Sequence, residues 1–300
     1  MKFKKNHKKK ILITAGNSNI GFDLVSYFVN KKYDVCETYR KNKNLIINSH
    51  LTHINYDFKK KFQLNENFDL LIHCAALTPY KHKISSNVMK LNVDGFKKIL
   101  NSKSQFKKIV LLSTLSVYGN IDNKIINENT SKKQVNAYGY SKIKMEEILI
   151  KYSKKYKVNY LILRLPGVVG NFQSDVNFIN NIIKNFCDNK TVKYSNPNSY
   201  FNNIVHTETI AKNIEKILLK DNIFFKNKTF NLCSTNPIKL DKLINFIKKN
   251  LRSKSKIKIL PPSSSFTIST KKCVKYDVDL ISTLKSIKKN IDYILKIKNC

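Results

Sequence analysis

The sequence predicts an α/β protein in which a doubly wound parallel sheet is followed by a smaller, discontinuous C-terminal lobe. Between residues 11 and 165, short apolar runs rich in β-branched residues alternate with stretches whose apolar residues recur at helical spacing. Beyond Pro166 this alternation loosens, and segments rich in Asn and Ser appear. Strands that alternate with helices form parallel sheets buried on both faces, so we expect helices on both sides of the sheet.

The individual elements follow from these periodicities. The predicted strands are Ile11–Thr14, Asp34–Tyr39, Thr52–Tyr56, Asp69–Cys74, Lys108–Ser113, Tyr160–Leu165 and Thr229–Leu232. The predicted helices are Ile20–Asn30, Ser86–Ser102, Tyr138–Tyr156, Phe178–Cys187, Ile210–Leu219 and Ser282–Ile297. Gly170–Asp175 and Thr191–Asn203 are predicted to be loops, and Leu260–Thr270 is predicted to be an extended linker.

The charge of the chain is strongly positive, with 56 Lys and Arg against 20 Asp and Glu and a net charge of +36. Such an excess is typical of nucleic-acid-binding proteins. The basic residues, however, are spread almost evenly along the chain instead of forming a stripe or tail. We therefore interpret the charge as a solvated basic surface and predict no specific nucleic-acid partner.

Composition excludes several other classes of protein. With 42% hydrophobic and 25% charged residues the chain is globular, and no apolar run approaches the roughly 20 residues needed to span a bilayer. The six cysteines are scattered without a CxxC pair, so neither a metal site nor a disulfide framework is predicted. We expect no membrane partner, a cytoplasmic location and reduced thiols. The sequence leaves open whether the protein forms a homodimer.

The first predicted strand, turn and helix form a candidate phosphate-binding unit. In dinucleotide-binding folds, glycines allow a tight turn here and the pyrophosphate lies at the helix N-terminus. The turn contains Gly16, Asn19, Ile20 and Gly21, but Ala15 and Ser18 occupy two of the three positions of a G-x-x-G-x-x-G frame. By itself this motif is weak, and an ordinary βα turn is the alternative.

The end of the second predicted strand carries Arg40, one of three arginines in the chain. NAD-specific folds place an acidic residue at this end to bind the ribose 2′-hydroxyl, whereas an arginine accommodates the 2′-phosphate of NADP. Arg40 therefore favours NADP over NAD as cofactor, with a solvated strand end as the alternative.

Tyr138 and Lys142 are a candidate catalytic pair because they lie four residues apart on one predicted helix. An ammonium beside a phenol stabilises the phenolate, which makes tyrosine usable as a base near neutral pH. The spacing alone does not decide, because the sequence holds four further Tyr-x-x-x-Lys pairs, including Tyr140 and Lys144.

The context of the pair resembles a known family. In order along the chain come NIG, Asp57, HCAA, NVDG, STLSVYG, YGYSK and RLPGVVG. Together they resemble the extended short-chain dehydrogenase/reductases, the NAD(P)-dependent epimerases and dehydratases that act on nucleotide-linked sugars. The resemblance covers roughly residues 10–235. It implies a Rossmann domain at residues 11–170 and 204–235, a basic lead-in at 1–10, and a substrate-binding lobe at 171–203 and 236–300.

The resemblance also implies residue roles. Tyr138 corresponds to the catalytic base, Lys142 to its partner, and Thr114 to the hydroxyl that bonds the reacting sugar oxygen. The implied cofactor contacts are Gly16, Asn19, Ile20, Gly21, Arg40, Asp57, Ala75, Ala76, Asn92, Pro166 and Val168. The implied substrate contacts are Ser116, Asn177 and Asn203, while His206 is expected to be a structural residue at a helix start.

Departures from the family pattern narrow the expected chemistry. Ala15 and Ser18 replace phosphate-loop glycines, which puts the cofactor affinity in doubt. Leu115 and Ser116 stand where the sugar 4,6-dehydratases of this family carry Asp and Glu, and Leu115 stands where fucose-type epimerase-reductases carry a cysteine. We therefore expect a 4-epimerase or a 4-keto reductase of a nucleotide-linked sugar. A non-catalytic NADP-binding regulatory protein on the same fold is the alternative, ahead of a nucleic-acid-binding protein.

Overall fold

The computed structural model describes residues 9–78, 86–121, 124–171, 177–219 and 227–298. Residues 1–8 of the predicted lead-in and residues 172–175 of the predicted loop Gly170–Asp175 lie outside this description. A seven-stranded parallel sheet confirms the predicted fold class. Its strands are β1 (Lys10–Thr14), β2 (Asp34–Tyr39), β3 (Leu51–Asn55), β4 (Leu70–His73), β5 (Lys108–Thr114), β6 (Asn159–Leu165) and β7 (Lys228–Asn231).

The strand order in the sheet is β7-β6-β5-β4-β1-β2-β3. From β1 the chain moves outward through β2 to β3, and it then returns to β4 on the other side of β1. The order therefore reverses between β1 and β4. In open parallel sheets such a reversal opens a crevice at the carboxyl ends of the strands, where ligands bind.

The helices agree closely with the predicted ones. They are α1 (Asn19–Asn30), α2 (Ser86–Leu100), α3 (Ala137–Tyr156), α4 (Phe178–Cys187), α5 (Thr207–Leu219), α6 (Leu240–Asn250), α7 (Lys271–Lys275) and α8 (Thr283–Lys298), with a 3₁₀ helix at Leu115–Tyr118. The sequence analysis predicts neither α6 nor α7. The apolar face of α6 (Leu240, Leu243, Ile244 and Ile247) is buried and does have helical spacing.

The predictions for Thr191–Asn203 and Leu260–Thr270 are wrong in part. Each segment contains strands of two or three residues, whose partners are distant in sequence. Counting those outside the two segments as well, the short strands of the described residues are Asn67–Phe68, Gln105–Phe106, Ile125–Ile126, Gly167–Val169, Val192–Tyr194, Tyr200–Phe201, Ile204–His206, Ile238–Lys239, Ile257–Ile259 and Thr267–Ile268. Val192–Tyr194 pairs with Ile257–Ile259, and Thr267–Ile268 with Ile125–Ile126. A run this short has no period that a sequence pattern could reveal.

By its contacts the chain divides into two compact units. The first comprises Met1–Leu112, Tyr140–Ile162 and Ile214–Lys228, and the second comprises Ser113–Gly139, Leu163–Asn213 and Thr229–Cys300. The core of the first unit contains Leu12, Leu71, Phe96, Ile109, Met145 and Ile162. The core of the second contains Val169, Ile183, Phe186, Ile244 and Ile291. The domain boundaries given in the sequence analysis stay a prediction.

Two connections in the first unit are made without a helix. Residues 40–50 join β2 to β3 and contain no helix, and residues 56–66 follow β3 without one. Parallel strands are usually joined through a helix that covers one face of the sheet. The connection at 40–50 instead leaves Leu45 and Ile47 in solvent, 87% and 100% exposed.

Candidate active site

The first βα turn is tight enough that two of its glycines have no room for a side chain. A Cβ on Gly16 would lie 1.9 Å from Oε2 of Glu37, and one on Gly21 would lie 2.1 Å from the carbonyl oxygen of Ala15. Gly16 N donates to Thr38 O at 2.9 Å, and Ala15 N donates to Thr38 Oγ1 at 3.0 Å. The turn is thus packed against β2, as a dinucleotide turn requires.

The two replaced glycine positions differ in their backbone. Ala15 has a φ of 52°, in the left-handed region where a Cβ is unfavourable. Ser18 has a φ of −82° and caps α1, because its Oγ accepts from Gly21 N at 3.2 Å. The presence of a residue other than glycine therefore strains the backbone at position 15 and does not strain it at position 18.

The N-terminus of α1 fits an anionic group. Asn19 and Ile20 begin the helix and are partly exposed, so their backbone N–H groups lie near solvent at the end where the helix dipole favours negative charge. This arrangement, together with the tight packing of Gly16 and Gly21, fits the pyrophosphate of a dinucleotide.

Thr14 organises the neighbouring turn after β4. Its Oγ1 accepts from Cys74 N at 3.0 Å and from Ala75 N at 3.1 Å, and it lies 3.1 Å from His73 Nδ1. Ala75 is buried and Ala76 is half-buried. Burial lowers the pKa of His73 well below its ordinary value, and the charge of Lys142 lowers it further, so the imidazole is neutral.

Two other predicted cofactor residues follow β2 and β3. Arg40 is exposed at the end of β2, and its carbonyl oxygen accepts from Asn55 Nδ2 at 3.1 Å. Asp57 is half-buried, and its Oδ1 accepts from Lys59 N at 2.9 Å. Gly16, Arg40, Asp57 and Ala75 thus all lie just beyond the carboxyl ends of strands of one sheet, where ligands bind in such folds.

Asn92 lies at the centre of a buried hydrogen-bond network in the first unit. Its Oδ1 accepts from Leu77 N at 2.7 Å, and its Nδ2 donates to Leu77 O at 3.1 Å and to Ser141 Oγ at 3.2 Å. Asn92 and Ser141 are both fully buried. The network thereby connects α2, the segment after β4, and the residue of α3 that precedes Lys142.

Lys142 is one of the most deeply buried charged groups described, with 2% of its surface exposed. Its Nζ donates to Leu112 O at 2.9 Å. Burial lowers the pKa of Lys142 to about 8, against the smaller raising effects of Cys74 and Glu146. An ammonium with this pKa is still mostly protonated at neutral pH, and little water screens its charge.

In the second unit, Thr114 and Ser116 form a hydroxyl-bearing turn after β5. Thr114 caps the 3₁₀ helix, because its Oγ1 accepts from Ser116 N at 3.2 Å, and the two side-chain oxygens lie 3.2 Å apart. The first turn of α3 packs on it: a Cβ on Gly139 would lie 2.1 Å from Ser116 O. Since Gly139 follows Tyr138, this contact brings the backbone of Tyr138 near Ser116.

A buried polar network lies behind this turn. Tyr118 OH donates to Asn231 Oδ1 at 2.8 Å and accepts from Arg164 Nη1 at 2.9 Å. Asn231 N donates to Glu128 Oε1 at 2.8 Å. Arg164, which the sequence analysis notes only as part of a motif, therefore fixes the end of the 3₁₀ helix, with its guanidinium 5.3 Å from the centre of the Tyr118 ring.

The remaining predicted residues of the second unit lie around the strand Gly167–Val169, which follows Pro166 and pairs with Ile204–His206. Asn177 caps α4 through Oδ1 and donates from Nδ2 to Val168 O at 2.7 Å, so local bonds use both its polar atoms. Asn203 differs: its Oδ1 is buried and has no hydrogen-bond partner among the described residues.

His206 ends its strand just before α5. Its Nδ1 accepts from Glu208 N at 3.1 Å, and burial lowers its pKa to about 4. The imidazole therefore caps the helix as a neutral group, which is the structural place expected for it.

Glu37 on β2 is a buried ionisable group that no predicted motif contains. Its carboxylate is completely buried, and its Oε1 accepts from Asn44 N at 3.0 Å and lies 2.6 Å from His53 Nδ1. A charged residue in the middle of DVCETY, a predicted strand of a parallel sheet covered on both faces, was the available signal. Glu37, Asn44 and His53 are not among the predicted site residues.

No helix in the described ranges is long and apolar enough to cross a membrane. Within the same ranges, no three His, Cys, Asp or Glu side chains are grouped so that they could hold a metal ion.

Comparison with known proteins places the chain in a family. The sequence profile of the NAD dependent epimerase/dehydratase family matches residues 11–233. The chain is 26% identical over 246 residues to dTDP-D-glucose 4,6-dehydratase of Dictyostelium discoideum, covering 72% of this chain and 56% of that protein. It is 34% identical over 113 residues to UDP-glucose 4-epimerase of Streptococcus mutans, covering 36% of this chain and 34% of that protein. These matches thus span about half or less of the curated relatives' length.

The fold is also similar to that of solved structures. UDP-glucuronic acid 4-epimerase from Bacillus cereus, in complex with UDP-glucuronic acid and NAD, superposes with a TM-score of 0.76. The superposition covers 96% of this chain and 99% of that chain at 16% sequence identity. At this identity the similarity establishes the fold alone.

Proposed function

This chain belongs to the NAD-dependent epimerase/dehydratase family, and on that premise we propose that it oxidises and reduces a carbinol carbon of a nucleotide-linked sugar. The observation that carries the proposal is the buried cation of Lys142 one helical turn after Tyr138. Burying an ammonium is costly, so the position calls for a purpose other than stability. The proposed catalytic residues are Tyr138, Lys142 and Thr114.

Tyr138 acts as the base. It lies in the first turn of α3, four residues before Lys142, and residues four apart on a helix share one face. The ammonium of Lys142 stabilises the phenolate, and the effect is large because burial removes the water that would screen it. Tyr138 can then take the proton of a sugar hydroxyl, and it returns that proton when the carbonyl is reduced.

Thr114 and Ser116 orient the reacting sugar. Their side-chain oxygens, 3.2 Å apart, offer a donor and acceptors on one turn. Thr114 is proposed to bond the reacting oxygen, while Ser116, Asn177 and Asn203 contact the substrate. Asn203 is partly exposed, whereas both polar atoms of the Asn177 side chain are engaged in local hydrogen bonds, so Asn203 is the better supported of the two.

The cofactor is proposed to be held by the turn and strand ends of the first unit, and Pro166 and Val168 stay predicted cofactor contacts. Gly16, Asn19, Ile20 and Gly21 would bind the pyrophosphate, Arg40 and Asp57 the adenosine half, and Ala75, Ala76 and Asn92 would border or support the site. When bound, a nicotinamide dinucleotide supplies the acceptor or donor of the hydride. Lys142, in addition to its action on Tyr138, would hold the nicotinamide ribose.

We favour 4-epimerisation or 4-keto reduction over dehydration. Loss of water requires an acid/base pair besides Tyr138, but Leu115 is apolar and 8% exposed and Ser116 carries only a hydroxyl. An exposed Arg40 at the end of β2 favours NADP and with it a reductase. The family itself is NAD-dependent, which favours an epimerase.

Two measurements on the full chain test the proposal. Mass spectrometry of the dinucleotide retained on purification separates the two reactions, since tightly held NAD⁺ indicates an epimerase, whereas an empty or NADP(H)-exchanging site indicates a reductase. Turnover of UDP-, dTDP- and GDP-sugars, followed by NMR, is then compared between the wild type and Tyr138→Phe. Full activity in Tyr138→Phe would overturn the mechanism, and stoichiometric dinucleotide binding without turnover would leave a non-catalytic binding protein.

A further inference from the structure

The connection between β2 and β3 is fastened onto the first βα turn by polar groups. Asn17 Nδ2 donates to Asn42 O at 2.5 Å, and Asn44 Nδ2 donates to Gly16 O at 3.2 Å. The apolar side chains of this connection do not hold it, because Leu45 and Ile47 are almost completely exposed. Its conformation over the turn therefore depends on the two asparagines.

Glu37 fixes one of these asparagines, Asn44, by a hydrogen bond to its backbone. Its Oε1 accepts from Asn44 N at 3.0 Å, and Asn44 Oδ1 in turn accepts from Ile46 N at 3.0 Å. Asn44 is 3% exposed, so both its backbone and its side chain are fixed. Residues 40–44 thus run between two anchored points, the end of β2 and Asn44, and this short segment begins with Arg40.

Glu37 also touches the turn directly. Its Oε2 is buried without a hydrogen-bond partner in the described part of the chain, and it occupies the space where a side chain on Gly16 would be. The carboxylate therefore packs against one side of Gly16, while Asn44 bonds its carbonyl oxygen.

Stability does not account for this carboxylate. Its Oε1 has Asn44 N and His53 Nδ1 as partners, but its Oε2 has none among the described residues, and a buried polar atom without a partner costs free energy. An apolar residue of similar volume at the centre of β2 would avoid that cost and is what such a strand usually carries. Since no atom of Glu37 reaches solvent, it cannot bond a ligand itself, and any role in binding acts through Asn44 and Gly16.

We propose that Glu37 is a positioning residue for the dinucleotide, which sets the geometry of the Gly16 turn and of the segment that begins with Arg40. The proposal rests on the proposed function, because it takes the first βα turn as the pyrophosphate site. Glu37 keeps the connection closed over the turn in the shape that accepts the adenosine half. Loss of its acceptor atoms releases Asn44 and loosens both Gly16 and Arg40.

The test measures the dissociation constants of NADH and NADPH by fluorescence titration of the full chain, alongside thermal unfolding. Glu37→Leu and Asn44→Ala are each expected to raise the dissociation constant of the better-bound nucleotide about tenfold, the equivalent of one or two lost hydrogen bonds. Glu37→Gln, whose amide oxygen can still accept from Asn44 N, is expected to keep most of the affinity, whereas a general loss of stability would not follow this acceptor atom. Asn48→Ala is the control, because its Oδ1 accepts from His50 N within the same connection and does not reach the turn.

The outcomes separate this inference from the proposed function. Unchanged dissociation constants in both variants, with the wild type binding and turning over, would overturn the positioning role alone. A loss of affinity in Glu37→Gln as large as that in Glu37→Leu would also overturn it. A wild type that binds neither nucleotide would overturn the proposed function and this inference together. Asn44→Ala decides the question if Glu37→Leu does not fold.

Discussion

Two buried ionisable residues of the first unit, Lys142 and Glu37, differ in whether a sequence motif contains them. Lys142 belongs to a recognisable motif, and its ammonium donates to Leu112 O. Glu37 belongs to no motif, and one of its carboxylate oxygens has no partner among the described residues. The surroundings of the two residues also differ, since the side chain of Asn92 in the first case is fully bonded, whereas the backbone of Ala15 in the second adopts a left-handed φ of 52°.

The part of the proposed site around Lys142 and the part around Glu37 are therefore held in shape by different interactions. Around Lys142, the hydrogen bond from Nζ to Leu112 O and the buried network of Asn92 accompany a charge whose function requires a low-dielectric surrounding. Around Glu37, a degenerate glycine turn is held in shape by a compensating polar network that includes Asn44. We therefore expect changes near Lys142 to affect the rate and changes near Ala15 to affect affinity and stability.

The largest expected effect is that of Lys142→Met. Removal of the ammonium leaves the Tyr138 phenolate without its stabilising charge, so kcat should fall by about 10²- to 10⁴-fold. Turnover of the identified sugar nucleotide at saturating cofactor measures it. Lys151→Met, an exposed lysine on the same helix, is the matched control and should retain wild-type kcat. Equal losses in both variants would contradict a specific role for Lys142.

The next largest effect is expected in the pH dependence of kcat, on the alkaline side of the profile. Because the pKa of Lys142 is lowered to about 8, its cation is present below that pH and is lost as the pH rises through it. The Tyr138 phenolate then loses the charge that is proposed to stabilise it, and kcat should decrease above about pH 8. A profile that stays flat to pH 9.5 in the wild type, or an identical limb in Lys142→Met, would be inconsistent with this reading.

A smaller effect is expected for Asn92→Ala, which tests the saturated network. It would leave the N–H and C=O of Leu77 and the hydroxyl of Ser141 without this partner in a buried place. The free energy of unfolding should fall by about 1–3 kcal/mol, as measured by urea denaturation. Asn101→Ala, an exposed position just after the same helix, provides the comparison and should leave stability unchanged.

The smallest effect is that of Ala15→Gly, which tests the strained turn. Glycine removes the free-energy cost of the left-handed backbone conformation, about 1–2 kcal/mol, but its larger conformational entropy in the unfolded state offsets part of this gain. The net gain in stability should therefore be about 0.5–1 kcal/mol. Ser18 has an extended backbone and its Oγ caps α1, so Ser18→Gly should instead be less stable than the wild type in the same urea experiment. A stabilised Ser18→Gly would reverse the assignment of strain.

Sequence reasoning succeeded where one element carries several turns or several alternations. The strand Asp34–Tyr39 and the helix Phe178–Cys187 match the predicted bounds, because their apolar residues repeat at the period of the element. It failed for Val192–Tyr194 and Thr267–Ile268, whose pairing with distant segments creates the strand. The network of Asn92 and Ser141 was likewise beyond it, since those residues lie 49 positions apart.

By itself, the sequence determined the fold class, the family resemblance and the Tyr138–Lys142 spacing, because each is written in local order along the chain. Only the tertiary structure decided that Lys142 is buried while Lys151 on the same helix is exposed, since burial depends on what packs against each helical face. It also decided that Ala15 is strained while Ser18 is a cap, and that Gly16 makes room for Glu37. Among the lysines whose surroundings the structure describes, burial is the property that distinguishes Lys142.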